Sequence, residues 1–552
     1  MQSQPLSSIG SLNPSTTYPA FSQKDLLSII PLVRESIHVV QEISSGRIGL
    51  SLADQALVGQ NLSASEMKNE GYRLRLMATL PALYPEWLGE RSFLEVHAVR
   101  FPYITGAMFR GIASADMVIE IARAKMIGFF GAAGLSLIDI EKAINKIKTA
   151  IGESGLSWGS NLIHSPNEPD LEEKVVDLYL KEEVTRVSAA AFMTITPNVV
   201  RYACTGLYAD NKGRIHRKNF IFAKLSRPEV ARLFMLPAPK QILDLLVTQG
   251  KLTQTEAILA SKIPVSEDIT VEADSGGHTD NRPLTALFPT ILSLRDEIST
   301  EKGYDRPIRI GAAGGLGTPA SIAAAFAMGA AYVLTGSVNQ SAVESGMSPE
   351  GRKLLAMAGV ADVTMAPAAD MFELGVKVQV LKRGTMFSNR AANLYSIYSQ
   401  NSSIDTIPKD VKARLEKDVF HAPLEKIWTD THTFFSKRDP EEIAKAEKNP
   451  KHLMALIFRW YLANSAMWAI KGDPVHKIDY QICCGPSMGA FNTWVKGSYL
   501  EKVENRTVSD IALNLLEGAA VITRAQQVRS YGVPVPGKAF NFTPRPLSYN
   551  IE

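Results

Sequence analysis

Between residues 99 and 337, short apolar runs alternate with longer segments in which apolar residues recur every three or four positions. The runs cover 101–105, 127–131, 157–163, 186–191, 220–224, 269–273, 308–312 and 331–335, and each ends in small, polar or glycine residues. Short continuous apolar runs separated by helical patterns predict strands buried on both faces of a parallel sheet. The segments between them predict helices. Over 139–151, Ile140, Ala143, Ile144 and Ile147 share one stripe, and 171–183 repeats the device. Eight such units predict an α/β fold, a (β/α)8 barrel whose strands all end on one face.

Two stretches break the rhythm. Residues 205–219, with Asp210-Asn211-Lys212-Gly213 at their centre, predict a hairpin, and 236–268 predicts two helices at 241–249 and 253–261. Both are expected over the active face, 236–268 as a cap insertion of a barrel domain spanning 99–400. Before the barrel, 36–52 predicts two strands around Ser44-Ser45-Gly46, within a small accessory segment at 36–98. Residues 1–35, rich at first in Ser, Pro and Thr, are expected to be a disordered lead-in. Residues 401–552 are expected to form a helical C-terminal extension. Its aromatic residues, among them Phe458, Trp460, Tyr461 and Trp468, are expected to be packing rather than a ligand box.

Composition narrows the class. Lys plus Arg total 59 against 56 Asp plus Glu, a net charge of +3, which implies no polyanionic partner. The three cysteines, Cys204, Cys483 and Cys484, form neither a disulfide framework nor a spaced metal cluster. That cysteine usage leads to the expectation of a reducing cytoplasm; the N-terminus lacks the pattern of a secretory signal, and 321–334, taken as the most apolar stretch, is too short to span a membrane, so a soluble protein is expected.

The most informative stretch is Gly311-Ala312-Ala313-Gly314-Gly315-Leu316-Gly317-Thr318-Pro319. It follows a strand-like run and opens an alanine-rich helix, so its glycines let a phosphate approach backbone N–H groups at the helix's positive end. A second run ends in Gly336-Ser337, again at a helix start. There is no Gly-Lys-Ser/Thr for a P-loop and no acidic residue in dinucleotide-fold register, so a phosphate site shared by the last two barrel strands fits better. The bland alternative is that the glycines serve tight packing alone.

At the shared strand face the barrel gathers Gly106-Ala107-Met108, Gly131-Ala132-Ala133-Gly134, Asn161, His164, Lys224 and the loop from Glu272 to His278. Small residues leave room for a flat ligand and Asn161 and Lys224 supply donors, a set that suits flavin mononucleotide (FMN). The candidate cofactor residues are Gly106, Ala107, Met108, Asn161, Lys224, Gly276, Gly277, Ala313, Gly314, Gly315, Gly336 and Ser337. His278, behind two glycines, is a candidate proton donor, and Lys224 a cation beside the electron-rich part of the ring. Each has a structural alternative: Asn161 satisfying loop backbone, Lys224 paired with a neighbouring acid, His278 bonded to Asp274 or Asp280. Glu272, Asp274 and Asp280 make no convincing metal site, and no metal is expected.

Longer motifs carry a resemblance. Phe-Gly-Ala-Ala-Gly-Leu (130–135), Asn-Leu-Ile-His-Ser-Pro (161–166), Asp-Ser-Gly-Gly-His-Thr-Asp-Asn-Arg-Pro-Leu (274–284), Met-Ala-Pro-Ala-Ala-Asp-Met-Phe-Glu (365–373) and Ala-Leu-Ile-Phe-Arg-Trp-Tyr-Leu (455–462) resemble the PfaD family from about residue 93 to 540. These are enoyl reductases of polyunsaturated fatty acid synthases and of polyketide synthases that recruit their reductase in trans. The resemblance implies FMN, NADPH as co-substrate, hydride transfer to an enoyl thioester, His278 and Lys224 as catalytic residues, a homodimer, and an acyl carrier protein as partner. Lys377, Lys382, Arg383 and Arg390 are candidates for meeting the carrier's acidic surface. The wider superfamily includes nitronate monooxygenases. Thr279, Asp280, Asn281 and Arg282 after the histidine, and the long stretch after Ser337, depart from them. A flavin oxygenase and a non-catalytic synthase assembly partner are the rival readings.

Overall fold

The computed structural model describes residues 10–12, 19–52, 56–58, 74–152, 154–165 and 168–547. All eight apolar runs are parallel strands: β1 (Tyr103–Thr105), β2 (Ile127–Phe130), β3 (Gly159–Ile163), β4 (Arg186–Ala190), β5 (Phe220–Leu225), β6 (Asp268–Glu272), β7 (Arg309–Ala313) and β8 (Val333–Thr335). They close into a barrel in chain order, β8 returning to pair with β1 through Val333↔Tyr103 and Thr335↔Thr105.

The amino-terminal end of the barrel is plugged by the helix Arg91–His97. Phe93 stacks on Tyr332 with centroids 4.6 Å apart. The Tyr332 ring explains Gly311, where a Cβ would lie 2.1 Å from it. Here Arg309 on β7 grips Asp268 on β6 with two hydrogen bonds of 2.6 and 2.7 Å, and Asp268 also meets His97 Nε2 at 3.1 Å. Burial pushes the Asp268 carboxyl up, but Arg309 and His97 together outweigh it and hold the group below the ordinary carboxylate range. Bidentate geometry in a dry setting makes such a pair costly to break from one side.

The two excursions expected over the active face lie at this opposite end. The hairpin pairs Tyr208–Ala209 with Ile215–His216, and the two helices are Lys240–Thr248 and Gln254–Ala260, so the elements form as predicted. Each nevertheless follows a barrel helix and precedes a strand. Val265 N bonds Leu236 O, and Ser266 Oγ bonds Ile221 O beside the first residues of β5 and β6. Segment 236–268 is therefore no cap on the site, because helix-to-strand connections emerge at the amino-terminal face.

The lead-in is also more ordered than its composition predicts. Ser22 caps the helix Gln23–Ile29, and Leu26, Ile30 and Val33 are buried; residues 1–9 and 13–18 lie outside the described residues. The strands predicted around Ser44 form as Ile37–Glu42 and Ile48–Ser51, inside a five-stranded antiparallel sheet. That layer packs against Ala520, Val521, Ala525 and Val528 of the helix Val508–Ser530.

The chain after 401 is helical, as expected, and the structure adds what its end does. The helix Val508–Ser530 packs between Pro319–Ala327 and Ala115–Arg123, the position of the barrel's eighth helix. Gly518 permits this contact, since a Cβ would lie 2.6 Å from Pro319 Cγ. Residues 337–507 are thus one long excursion from the carboxyl end of β8. It contains the antiparallel strands β9 (Val363–Pro367) and β10 (Lys377–Leu381) and a helical unit. Within that unit Pro450–Lys471 has the length and mean hydropathy, 1.2, of a membrane span. Its Met454, Phe458, Tyr461 and Leu462 are fully buried, which identifies it as the unit's core helix.

Replacing Arg309 by Met should strand the Asp268 carboxylate and lower unfolding free energy by about 3–5 kcal/mol. Adding Asp268→Asn should recover part of that loss. Urea unfolding followed by circular dichroism checks both, and an Arg309→Met protein as stable as the parent would refute the account.

Candidate active site

At the carboxyl face, β7 runs into Gly314-Gly315-Leu316-Gly317, and Thr318 caps the helix Pro319–Ala327. Ser321 Oγ takes the N–H groups of Gly317 and Thr318 at 3.2 and 3.1 Å. The N–H groups of Gly314, Gly315 and Leu316 donate to no acceptor among the described residues, nor do those of Gly336, Ser337 and Val338 after β8. Strands β7 and β8 are neighbours. Two adjacent turns therefore present six unpaired donors, the arrangement an anion requires. Gly315, at φ +71°, and Gly336 have no heavy atom within 4 Å of a built Cβ, so there is room for a ligand where a side chain would intrude.

The other glycines of these loops answer to protein. A Cβ on Gly314 would lie 2.6 Å from Ala273 C, one on Gly317 2.2 Å from Ser487 O, and one on Gly276 2.5 Å from Cys484 Cα. The segment 482–487, which no local pattern marks for this position, threads between the three loops. Its Gly485 N donates to Ser337 Oγ at 3.0 Å, and Gln340 Nε2 donates to Cys483 O at 2.6 Å. Burial pushes the Cys483 thiol up to about 12, so it is no thiolate nucleophile. Ala313 is buried, its carbonyl accepting from Ala273 N at 2.9 Å.

On the β1–β3 side, Gly106 N donates to Thr335 O at 2.9 Å, while Ala107 and Met108 are half-buried. Asn161 is buried and its Oδ1 accepts from Ala132 N and Ala133 N at 2.7 and 3.2 Å, so it holds the turn after β2. Its Nδ2 donates to nothing among the described residues and is the half of the amide left for a ligand. His164 is tied to Glu172 at 3.0 Å and stacked on Phe192. The motif containing it ends at Pro166, outside the described residues.

Lys224 on β5 is paired with Glu272 on β6 at 2.5 Å, and Ser275 Oγ also donates to Glu272. The cation is thus anchored by a carboxylate. His278 is half-exposed, and its partner is neither Asp274 nor Asp280 but Asp370, at 3.3 Å from Nε2. The two-residue strand Gly277–His278 pairs with β10, which brings the loop bearing Asp370 over the histidine. The bond to Asp370 raises the His278 pKa, against a smaller opposing effect of burial. Asp274 instead accepts from Asn281 and Gln379, both at 2.8 Å, which fixes the loop. Asp370 lies in a motif visible in the sequence, yet no local spacing marks it as the histidine's partner.

Of the four basic residues considered for a docking patch, Lys377 and Lys382 are exposed and Arg383 pairs with Asp362 at 3.2 Å. Arg390 is bound to Asp479, which also accepts from Tyr461 OH at 2.7 Å, so it braces the core rather than the surface.

Residues 401–480 match the family described as the inserted helical domain of [acyl-carrier-protein] S-malonyltransferase. The chain is 45% identical over 446 residues to the polyketide biosynthesis protein PksE of Bacillus subtilis, covering 81% of this chain and 58% of that protein. It is also 45% identical over 450 residues to a component of the polyunsaturated fatty acid synthase of Thraustochytrium, covering 80% of this chain and 30% of that component. It therefore spans less than two thirds of either relative. A solved structure, the enoyl reductase domain of MlnA from the macrolactin cluster of Bacillus amyloliquefaciens, aligns with TM-score 0.77 and 40% identity over 81% of this chain and 99% of that one. A match across nearly the whole of that domain, on the same closed barrel, makes this chain a member of the PfaD-like family of enoyl reductases.

Proposed function

We propose that the protein is an FMN-dependent enoyl reductase that uses NADPH to saturate the α,β-double bond of enoyl thioesters carried by an acyl carrier protein of a polyketide or polyunsaturated fatty acid synthase. The observation that carries this reading is the pair of turns after β7 and β8, with six unpaired N–H donors and open space at Gly315 and Gly336. Such donors fit the phosphate of FMN. Asn161 Nδ2 and the small residues Gly106 and Ala107 fit the edge of a flat ring. When bound, FMN supplies hydride chemistry, two electrons drawn from NADPH and delivered to the substrate's β-carbon.

This chain's residues do the remaining work. Lys224, anchored by Glu272, puts a cation at the carboxyl end of β5, where it would stabilise negative charge on bound FMN. His278 holds a proton at its ring and Asp370 keeps it there; the proton goes to the α-carbon side of the thioester, directly or by hydrogen bonding to its carbonyl oxygen. The glycine turn before His278 lets the ring reach the substrate, while its pairing with β10 limits where it points.

The purified protein should show a flavin absorbance spectrum and oxidise NADPH only when an enoyl thioester is present. A chain that binds FMN but turns over no enoyl thioester, or that consumes oxygen on nitronates instead, would defeat the proposal. Gly336 has a negative φ, −122°, so Gly336→Ala adds a methyl to the cradle without left-handed strain. It should weaken FMN binding about tenfold with the fold intact, read by flavin release on dilution. His278→Ala should cut turnover about 100-fold or more. Because Asp370 favours the protonated ring, turnover should fall as pH rises through the elevated His278 pKa, and Asp370→Asn should move that fall to lower pH. An unchanged profile in Asp370→Asn would remove this carboxylate from the mechanism.

A further inference from the structure

The turn after β1 holds a separate cationic feature. Arg110 has φ +52°, left-handed backbone that a long side chain rarely adopts. It is pinned there by Arg110 N to Ala133 O and Gly111 N to Gly131 O, both 2.8 Å. Strained backbone of this kind persists where surrounding structure fixes it, and it clusters at functional sites. The side chain lies along Gly134, where a Cβ would be 3.1 Å from Arg110 Cγ and 3.3 Å from Nε.

The Arg110 guanidinium makes no hydrogen bond or ion pair among the described residues. Burial draws its pKa below the usual arginine range, and the charge of Arg438 adds to this. Arg438, at the end of the helix Leu424–Arg438, is bonded to Glu168 at 3.2 and 3.3 Å. Glu168 is thus taken up by Arg438, and Arg110, a partly desolvated cation, is left without a counter-ion. Arg110, Gly134 and Glu168 follow β1, β2 and β3, so the feature lies on the β1–β3 flank of the face, which adjoins β8 where the barrel closes.

We propose that Arg110, backed by Arg438, binds a phosphate group of a molecule entering over β1–β3, distinct from the phosphate held at Gly315 and Gly336. The proposal rests on the reductase reading for its candidate ligands: the 2′-phosphate of NADPH and the phosphate of a pantetheine arm are the two that reading brings to this face. Guanidinium suits either, through paired charge-assisted hydrogen bonds.

The test compares matched probes by titration calorimetry on the whole chain loaded with FMN: NADP⁺ against NAD⁺, which differ by the same 2′-phosphate and cannot reduce the flavin, and 4′-phosphopantetheine against pantetheine. The variant is Arg110→Asn, since asparagine tolerates left-handed backbone, and its thermal midpoint checks the fold. One phosphate-bearing probe should lose about tenfold in affinity while its phosphate-free twin is unchanged, and the pair affected identifies the source. Arg438→Gln should weaken the same probe by a smaller factor. Equal losses within each pair, or no loss in either, would overturn the proposal. Binding needs no turnover, so a selective loss in a protein inactive on enoyl thioesters would count against the reductase reading and for this site.

Discussion

The candidate site depends on one close approach: the segment 482–487 is wedged among the loops that follow β6, β7 and β8. Gly276 and Gly317 exist at the contacts because any Cβ would collide with Cys484 or Ser487. Glycine-rich loops lose more conformational entropy on ordering than other sequences, so a cradle made of them needs external restraint. The restraint is anchored outside the barrel. Leu381 N donates to Ile482 O at 2.8 Å, and Val380 bridges to Cys483, which fastens the segment to β10. The same strand pairs with Gly277–His278, and the β9–β10 connection carries Asp370. A single hairpin in the excursion after β8 thereby fixes the phosphate turns and the histidine's carboxylate together.

What was legible in the sequence follows from the range of the interactions involved. Strand burial, helix stripes and turn chemistry are local, so all eight strands could be read from periodicity and the hairpin at 205–219 from its Asp210-Asn211-Lys212-Gly213 turn. The turns after β7 and β8 were legible because the strand-to-helix junction is itself a local pattern. The role of each glycine was not, since a glycine approached by Tyr332, by Ser487 or by a ligand looks the same in one dimension. Of the glycines in those two turns, only Gly315 and Gly336 prove open. Asp370 and segment 482–487 reach the site through tertiary pairing far along the chain, which spacing cannot reveal. The misplaced cap is a different case. Chain order alone puts a segment that follows a helix and precedes a strand at the amino-terminal face, and that rule was available.

The two ends of the barrel divide the physical labour. At the amino-terminal end most polar groups answer one another: Arg309, Asp268, His97 and Ser157 form a buried set that Arg186 joins through His97, and the plug helix seals it. At the carboxyl end donors are left unanswered in the turns after β7 and β8, and the Arg110 guanidinium lacks a partner among the described residues. Unsatisfied groups cost free energy, so a fold keeps them where a ligand will complete them, and the well-bonded end offsets the cost.

The helical unit 401–480 also bears on the site, although no residue of the phosphate turns or the Lys224–Glu272 pair comes from it. His452 on its core helix is held between Glu373, at 3.0 Å from Nδ1, and Glu442, at 3.2 Å from Nε2. Glu373 lies in the same loop as Asp370, so the unit braces the backbone that positions the His278 partner. Its likeness to the inserted helical domain of a malonyltransferase carries no malonyl-transfer chemistry into the barrel, since chemistry belongs to sites rather than to the elements that support them. An inserted bundle that meets the active face only through the carboxylate loop and Arg438 is free to vary on its outer surface while its inner face is constrained by His452, Tyr461 and Asp479.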